Sequence, residues 1–236
     1  QAWPQARANP RTEVIDKLGR KADAQSRKAR RDDAAPGTAR KPLSAVVTGR
    51  DGSLLTRGPR PLLNADKNLT VLWSPKSACT AVYVWFSHLS GFSEAVKPFG
   101  LRVHKHRTDH YYHSDLYRQS LEAEASQANV LRIVRDPYQR AVSIYRHAIK
   151  TAFADIDLEQ ELGKTAAGGL SFQEFLDFLG KIDVSHADVH MRPQFHPYET
   201  VRQPGRYINI SKQNLFAELN RFENDIGAAI TDFNTL

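Results

Sequence analysis

The stretch that most constrains the fold of this 236-residue chain is NVLRIVRDPYQRAVSIYRHAIK, residues 129–150. Its first half is an apolar, Val- and Ile-rich run of strand length. It passes without a linker into Asp136-Pro137, the pairing expected where a helix begins. An Asp at the N-cap accepts from free backbone N–H groups, a Pro in the first turn has its φ preset, and Gln139 completes a capping-box arrangement. Ala141, Ile144, Tyr145, Ala148 and Ile149 then recur on one face, which predicts a helix through the rest of the stretch. A strand delivered directly into a helix is the repeating unit of alternating α/β folds.

A second unit of the same kind lies at residues 69–90, LTVLWSPKSACTAVYVWFSHLS. LTVLWS reads as a short buried strand. The aromatics and valines after the loop suit a strand, whereas Val82, Trp85, Phe86 and Leu89 sit at helical spacing. Helix is the better reading, because a parallel partner strand could not follow so short a loop. Further along, GLRV (100–103) reads as a weak strand and HSDLYRQSLEAEASQ (113–127) as a helix. SFQEFLDFLG (171–180) reads as a helix capped by Ser171 and stopped by Gly180. YINISK (207–212) reads as a late strand, and NLFAELNRFENDIG (214–227) as a final helix ending at glycine. The pattern predicts an α/β domain over residues 61–236, with a central, mainly parallel sheet flanked by helices and no internal repeat.

Residues 1–60 differ in kind. They hold 14 Lys and Arg against 6 Asp and Glu, which leaves 19 against 20 for residues 61–236. The net charge of +7 therefore belongs to this segment, and the α/β part is near neutral. Rich in Arg, Ala, Gly and Pro, the segment cannot bury enough apolar surface to offset chain entropy, and reads as flexible or peripheral, with one short helix at RTEVIDKLGRK (11–21). It reads as a solvated linker, or as a surface attracted to anions or a membrane. No run approaches 18 apolar residues, and the N-terminal stretch lacks the apolar core of a secretory signal. Cys79 is the only cysteine, so an internal disulfide and a cysteine-based zinc site are both excluded, and a reducing compartment is favoured.

The loop Ser74-Pro75-Lys76-Ser77-Ala78-Cys79-Thr80 joins a strand to a helix N-terminus, where free N–H groups and the helix dipole favour an anion. Lys76 adds a full charge, and Ser77 and Thr80 add hydroxyls. The ATP-binding pattern G-x-x-x-x-G-K-[ST] is not matched, since no glycine lies between Leu69 and Ser90 and the lysine precedes the helix by about a turn. In the other unit, Arg135 ends the strand and Ser143 lies two turns into the helix, so a charged fork and a hydroxyl converge on a second anionic group. Arg140, in the helix's first turn, either supports the loops, which is the favoured reading, or touches the ligand.

These residues resemble a known family. SPKSACT is similar to the 5′-phosphosulfate loop (P-K-x-x-x-T), and RDPYQRAVSIY to the 3′-phosphate motif (R-x-P-x-x-R-x-x-S-x-Y), of sulfotransferases that use 3′-phosphoadenylyl sulfate. The Ala-Cys-Thr ending and the Arg-Asp-Pro form resemble the carbohydrate branch, sulfotransferase family 2. LSFQEFLDFL, the H-x-x-P-Q loop in HMRPQFHPYE, and YINISKQNLFAELNRF resemble later parts of that branch, so the likeness runs from residue 69 to about 224. It implies a P-loop-like three-layer α/β fold and an enzyme moving a sulfuryl group to a hydroxyl of a carbohydrate or glycolipid, with no metal required. Lys76 and the loop residues Ser77, Ala78, Cys79 and Thr80 would hold the 5′-phosphate, and Arg135 and Ser143 the 3′-phosphate. There are departures. Cytosolic small-molecule members carry Gly-Thr-Thr where this chain has Ala78-Cys79-Thr80, and their glycine-rich C-terminal motif is absent. Eukaryotic carbohydrate members carry paired cysteines near the H-x-x-P-Q loop, which this chain lacks. The expectation is a bacterial, cytoplasmic member, with the basic segment available for membrane-surface association and no nucleic-acid partner.

The acceptor hydroxyl needs a base, and VHKHRTDHYYH offers His104, His106, His110 and His113 where the family places it in chain order. His106 is favoured, then His104. The same cluster could ligate zinc, although no acidic or cysteine set accompanies it. His190, Arg192 and Gln194 either line an acceptor cleft or order a loop. Two other functions stay open at this stage: a phosphate-loop nucleotide kinase, and a non-enzymatic nucleic-acid or anionic-surface binder acting through residues 1–60.

Overall fold

The computed structural model describes residues 59–123 and 129–236. Contacts divide the chain between Val46 and Val47, and every described residue lies in the second unit. Apart from Pro59 and Arg60, the basic segment 1–60 and its expected helix at 11–21 lie outside the described residues, as do positions 124–127 of the expected helix at 113–127.

Four strands form one mixed sheet in the order β1-β2-β3-β4: β1 Leu62–Asn64, β2 Leu69–Leu72, β3 Asn129–Val134 and β4 Arg206–Asn209. β2 and β3 run parallel from Leu69↔Asn129 to Leu72↔Arg132, and β3 and β4 run parallel from Leu131↔Arg206 to Val134↔Asn209. β1, which carried no signal in the sequence because it is three residues long, is an antiparallel edge joined to β2 by a tight turn with Asn68 at φ 53. Its outer edge is covered, since the Tyr111 hydroxyl accepts from the N–H of Leu63 (2.8 Å) and donates to its carbonyl (2.9 Å).

The helices are α1 Cys79–Leu89, α2 Ser93–Val96, α3 Val103–Asp109, α4 Asp115–Glu122, α5 Pro137–Thr151, α6 Asp155–Leu162, α7 Phe172–Lys181 and α8 Leu215–Asp225. The chain is thus a sheet flanked by helices, the α/β class expected. Two apolar clusters hold it. One joins the sheet to α1, α3, α4 and α8; the other joins α5, α6 and α7 and includes Met191.

Three local expectations need correction. GLRV is not a strand: Gly100–Arg102 end a 3-10 turn over Lys97–Arg102 and Val103 opens α3. Only Val103 of the four is buried, and Leu101 is 95% exposed, so the segment has no second face to bury in a sheet. Gly180 does not stop α7, which runs to Lys181 before Ile182 turns extended. The capping box at Asp136 is incomplete. Asp136 caps Tyr138 and Gln139 as expected, but its own N–H donates to Ser211 Oγ, which in turn donates to Gln139 Oε1. A hydroxyl from beyond β4 has taken the role of the missing half.

Candidate active site

The loops after β2 and β3 leave the carboxyl ends of neighbouring parallel strands, the position where open α/β sheets hold ligands. They face a cavity of ≈ 290 Å³ walled by Pro75, Lys76, Ala78, Cys79 and Thr80 on one side and Arg135, Ser143 and His147 on the other, with His104 and His190 completing it.

The first loop is bent in an unusual way. Lys76 (φ 67) and Ala78 (φ 58) both occupy the left-handed region, with Ser77 between them in the ordinary one. Non-glycine residues there cost about 1–2 kcal/mol each. Alternation of hand is the backbone form that makes an anion-binding concavity, and the first N–H groups of α1 lie beside it without intrahelical partners.

Long-range contacts hold the bend. Gln194 Oε1 accepts from the Ser77 hydroxyl (2.9 Å) and from the Arg135 N–H (2.9 Å), while its Nε2 donates to the Arg135 carbonyl (2.7 Å). Arg140, buried at the start of α5, donates from Nε to the Pro75 carbonyl (3.1 Å) and from a terminal nitrogen to the His190 carbonyl (2.9 Å). Arg140 therefore ties both loops together, and burial pushes its pKa down to about 10. Arg192 donates to the Ala187 carbonyl, so Gln194 and Arg192 order loops and only His190 of that group lines the cavity.

The expected residues divide clearly. Lys76, Ala78, Cys79, Thr80, Arg135, Ser143 and His104 come together at the cavity. Ser77 and His106 do not. Ser77 is fully buried and its hydroxyl is turned away into Gln194, a correction to its expected part as a ligand donor. His106 is buried among Tyr83, Phe92 and Phe99, with Nδ1 2.8 Å from the Tyr83 hydroxyl. The preference for His106 is thus overturned: on α3 it sits two residues from His104, about half a turn round, and faces the core. Among the described residues no group of three or more His, Cys, Asp or Glu is gathered as metal ligands, so the zinc reading of the four histidines finds no support there.

Sequence reasoning missed His147. The available signal was its place four residues after Ser143, one turn on along the same face of α5.

The cavity is electropositive. Burial lowers the Lys76 ammonium below its ordinary pKa; the Cys79 sulfur opposes this, and the charges of Arg135 and Lys150 add to it. Burial, followed by Arg107, His190 and Lys76, pushes His104 down to about 4. His147 is likewise pushed to about 4 by burial and then by Lys76 and His190. Among the described residues neither Lys76 nor Arg135 has a carboxylate partner.

A family model described as the sulfotransferase family matches residues 62–213, from the first residue of β1 to just beyond β4. No curated protein and no solved structure matches the chain.

Proposed function

The chain belongs to the sulfotransferase family, and on that premise we propose that it transfers a sulfuryl group from 3′-phosphoadenylyl sulfate to a hydroxyl of a carbohydrate or glycolipid. One observation carries the donor assignment: Lys76 and Arg135, from two separate loops, share a cavity, and among the described residues no carboxylate neutralises either. Two partly desolvated cations beside a strained, N–H-lined bend favour an anionic ligand, and a ligand phosphorylated at two places satisfies both.

When bound, this donor supplies the sulfuryl group and a phosphate leaving group. Lys76 neutralises charge developing on the leaving phosphate oxygen, and the N–H groups of Ala78, Cys79 and Thr80 hold the 5′-phosphate. Arg135 and Ser143 hold the 3′-phosphate and so discriminate against ATP. Ser77, Gln194 and Arg140 touch no ligand; they fix the spacing between the two anion sites. The proton of the acceptor hydroxyl passes to a histidine of the cavity wall, and of the two favoured from sequence only His104 is there. Transfer of this kind depends mainly on positioning and electrostatics.

Lys76→Ala should lower transfer of labelled sulfate by at least 10²-fold with an unchanged circular-dichroism spectrum. Calorimetry should show metal-independent binding of adenosine 3′,5′-bisphosphate and none of comparable strength for Mg-ATP. Preference for Mg-ATP, or full turnover by the variant, would sink the reading.

A further inference from the structure

Of the histidines in the cavity, one is held in a manner the others are not. His190 Nδ1 lies 2.7 Å from Asp188 Oδ1, and the His190 backbone N–H donates to the same oxygen at 2.9 Å. The carboxylate therefore fixes both the ring and the backbone that carries it. From the other side, Arg140 holds the His190 carbonyl while donating to Pro75 in the phosphate-type loop. Next in sequence, Met191 is buried in the cluster under α5–α7. The ring packs against His147 (centroids 4.7 Å) and Phe153 (4.9 Å). Its Nε2 makes no hydrogen bond among the described residues, and the residue lines the cavity.

This is the arrangement a base requires. A carboxylate accepting from Nδ1–H selects the tautomer whose lone pair is on Nε2, and it stabilises the imidazolium once a proton arrives. Burial raises the Asp188 carboxyl, but the hydrogen bonds from His190 outweigh this and leave it below its ordinary value, so it is ionised at neutral pH. The alternatives are less suited. His104 Nε2 is within 3.1 Å of Thr80 Oγ1 and 3.5 Å of Cys79 Sγ, and among the described residues its buried Nδ1 has no partner and no carboxylate pairs with it. His106 faces the core.

We propose that His190, oriented by Asp188, is the general base that deprotonates the acceptor hydroxyl, a reading that rests on the sulfuryl-transfer function above. His190 takes the hydroxyl proton on Nε2 as the new oxygen–sulfur bond forms. The sulfur–oxygen bond to phosphate breaks in the same step, its electron pair leaving on the phosphate beside Lys76. The products are a sulfate ester, adenosine 3′,5′-bisphosphate and an imidazolium that returns its proton to solvent. His190 is then a catalytic residue and Asp188 a positioning residue.

The test uses the full chain and three measurements. Calorimetry with adenosine 3′,5′-bisphosphate should give the same Kd, within about threefold, for wild type, His190→Gln and Asp188→Asn. Release of ³⁵S-sulfate from labelled donor to sugar glycosides or to water should fall in kcat by about 10²–10⁴-fold in His190→Gln and about tenfold in Asp188→Asn. Added imidazole should restore part of the rate to His190→Ala, which a purely structural role would not allow. Nitrogen-15 spectra of the ring should place the proton on Nδ1. A ring protonated on Nε2, or His190→Gln turnover within threefold of wild type, overturns the proposal and leaves the donor assignment standing. Wild type that binds the bisphosphate but releases no sulfate also overturns it, because a poised base beside the donor acts on water. Failure of wild type to bind the bisphosphate brings down the donor assignment, and this proposal with it.

Discussion

Ala78 occupies the position where cytosolic small-molecule sulfotransferases carry glycine, and its φ of 58 shows what glycine does there. A Cβ in the left-handed region is strained, and glycine removes the strain at some cost in unfolded-chain entropy. Ala78→Gly is expected to leave the bisphosphate Kd within a few-fold and to raise stability by up to about 1 kcal/mol, read as a higher urea midpoint. A clear fall in stability would mean that the Ala78 methyl has a packing role that outweighs the strain. Lys76, Arg135 and Ser143 were legible as single residues because their types and spacing follow from chemistry along the chain. Ser77 was not. Serine after lysine reads as one more phosphate donor until Gln194, 117 residues away, accepts a hydrogen bond from its hydroxyl.

At the scale of elements, the site is a pair of strand ends joined by a clamp from a third loop. The strands and helices that carry it were visible in the sequence, since each has a continuous apolar run or face and α5 has a local cap at Asp136. The clamp was not. Gln194 lies in an irregular segment whose meaning depends on what it reaches: the Ser77 hydroxyl and both backbone groups of Arg135. Gln194→Ala leaves those groups without partners, at a cost of about 2–4 kcal/mol. Bisphosphate affinity should drop at least tenfold, because the loops after β2 and β3 lose their fixed spacing. Chemical denaturation and calorimetry on the same variant check both outcomes. Unchanged stability and affinity would show that Arg140 on the Pro75 carbonyl and Arg135 on the Lys76 carbonyl (3.2 Å) suffice to hold the loops together. The misread GLRV segment belongs at this scale too: four residues are too short for periodicity to tell a strand edge from a helical turn.

For the whole molecule, three histidines from distant parts of the chain are held neutral. His104, His147 and His196 are each pushed from 6.5 down to about 4, in every case first by burial. The unfolded chain therefore binds more protons than the folded one between about pH 6.5 and 4, so stability is full above that window and lost as pH falls through it. The depressed carboxyls of Glu174 and Asp183, both about 2, act only at lower pH and do not mask the effect. The melting temperature should fall by about 5 °C or more between pH 7 and 4.5. A flat profile over that range would contradict the burial of these imidazoles. By itself the sequence determined the α/β class, the two strand–loop–helix units, the cap at Asp136 and the meeting of Lys76 with Arg135 and Ser143. Each of these rests on neighbours within a few residues or on the rule that parallel strands align their ends. Only the tertiary structure decided that His104 and His147 line the cavity while His106 packs in the core, that Ser77 turns inward, and that Arg140 holds His190 by its carbonyl. Those outcomes depend on contacts between segments far apart in the chain, and local spacing carries no record of which side chain a distant segment will bury.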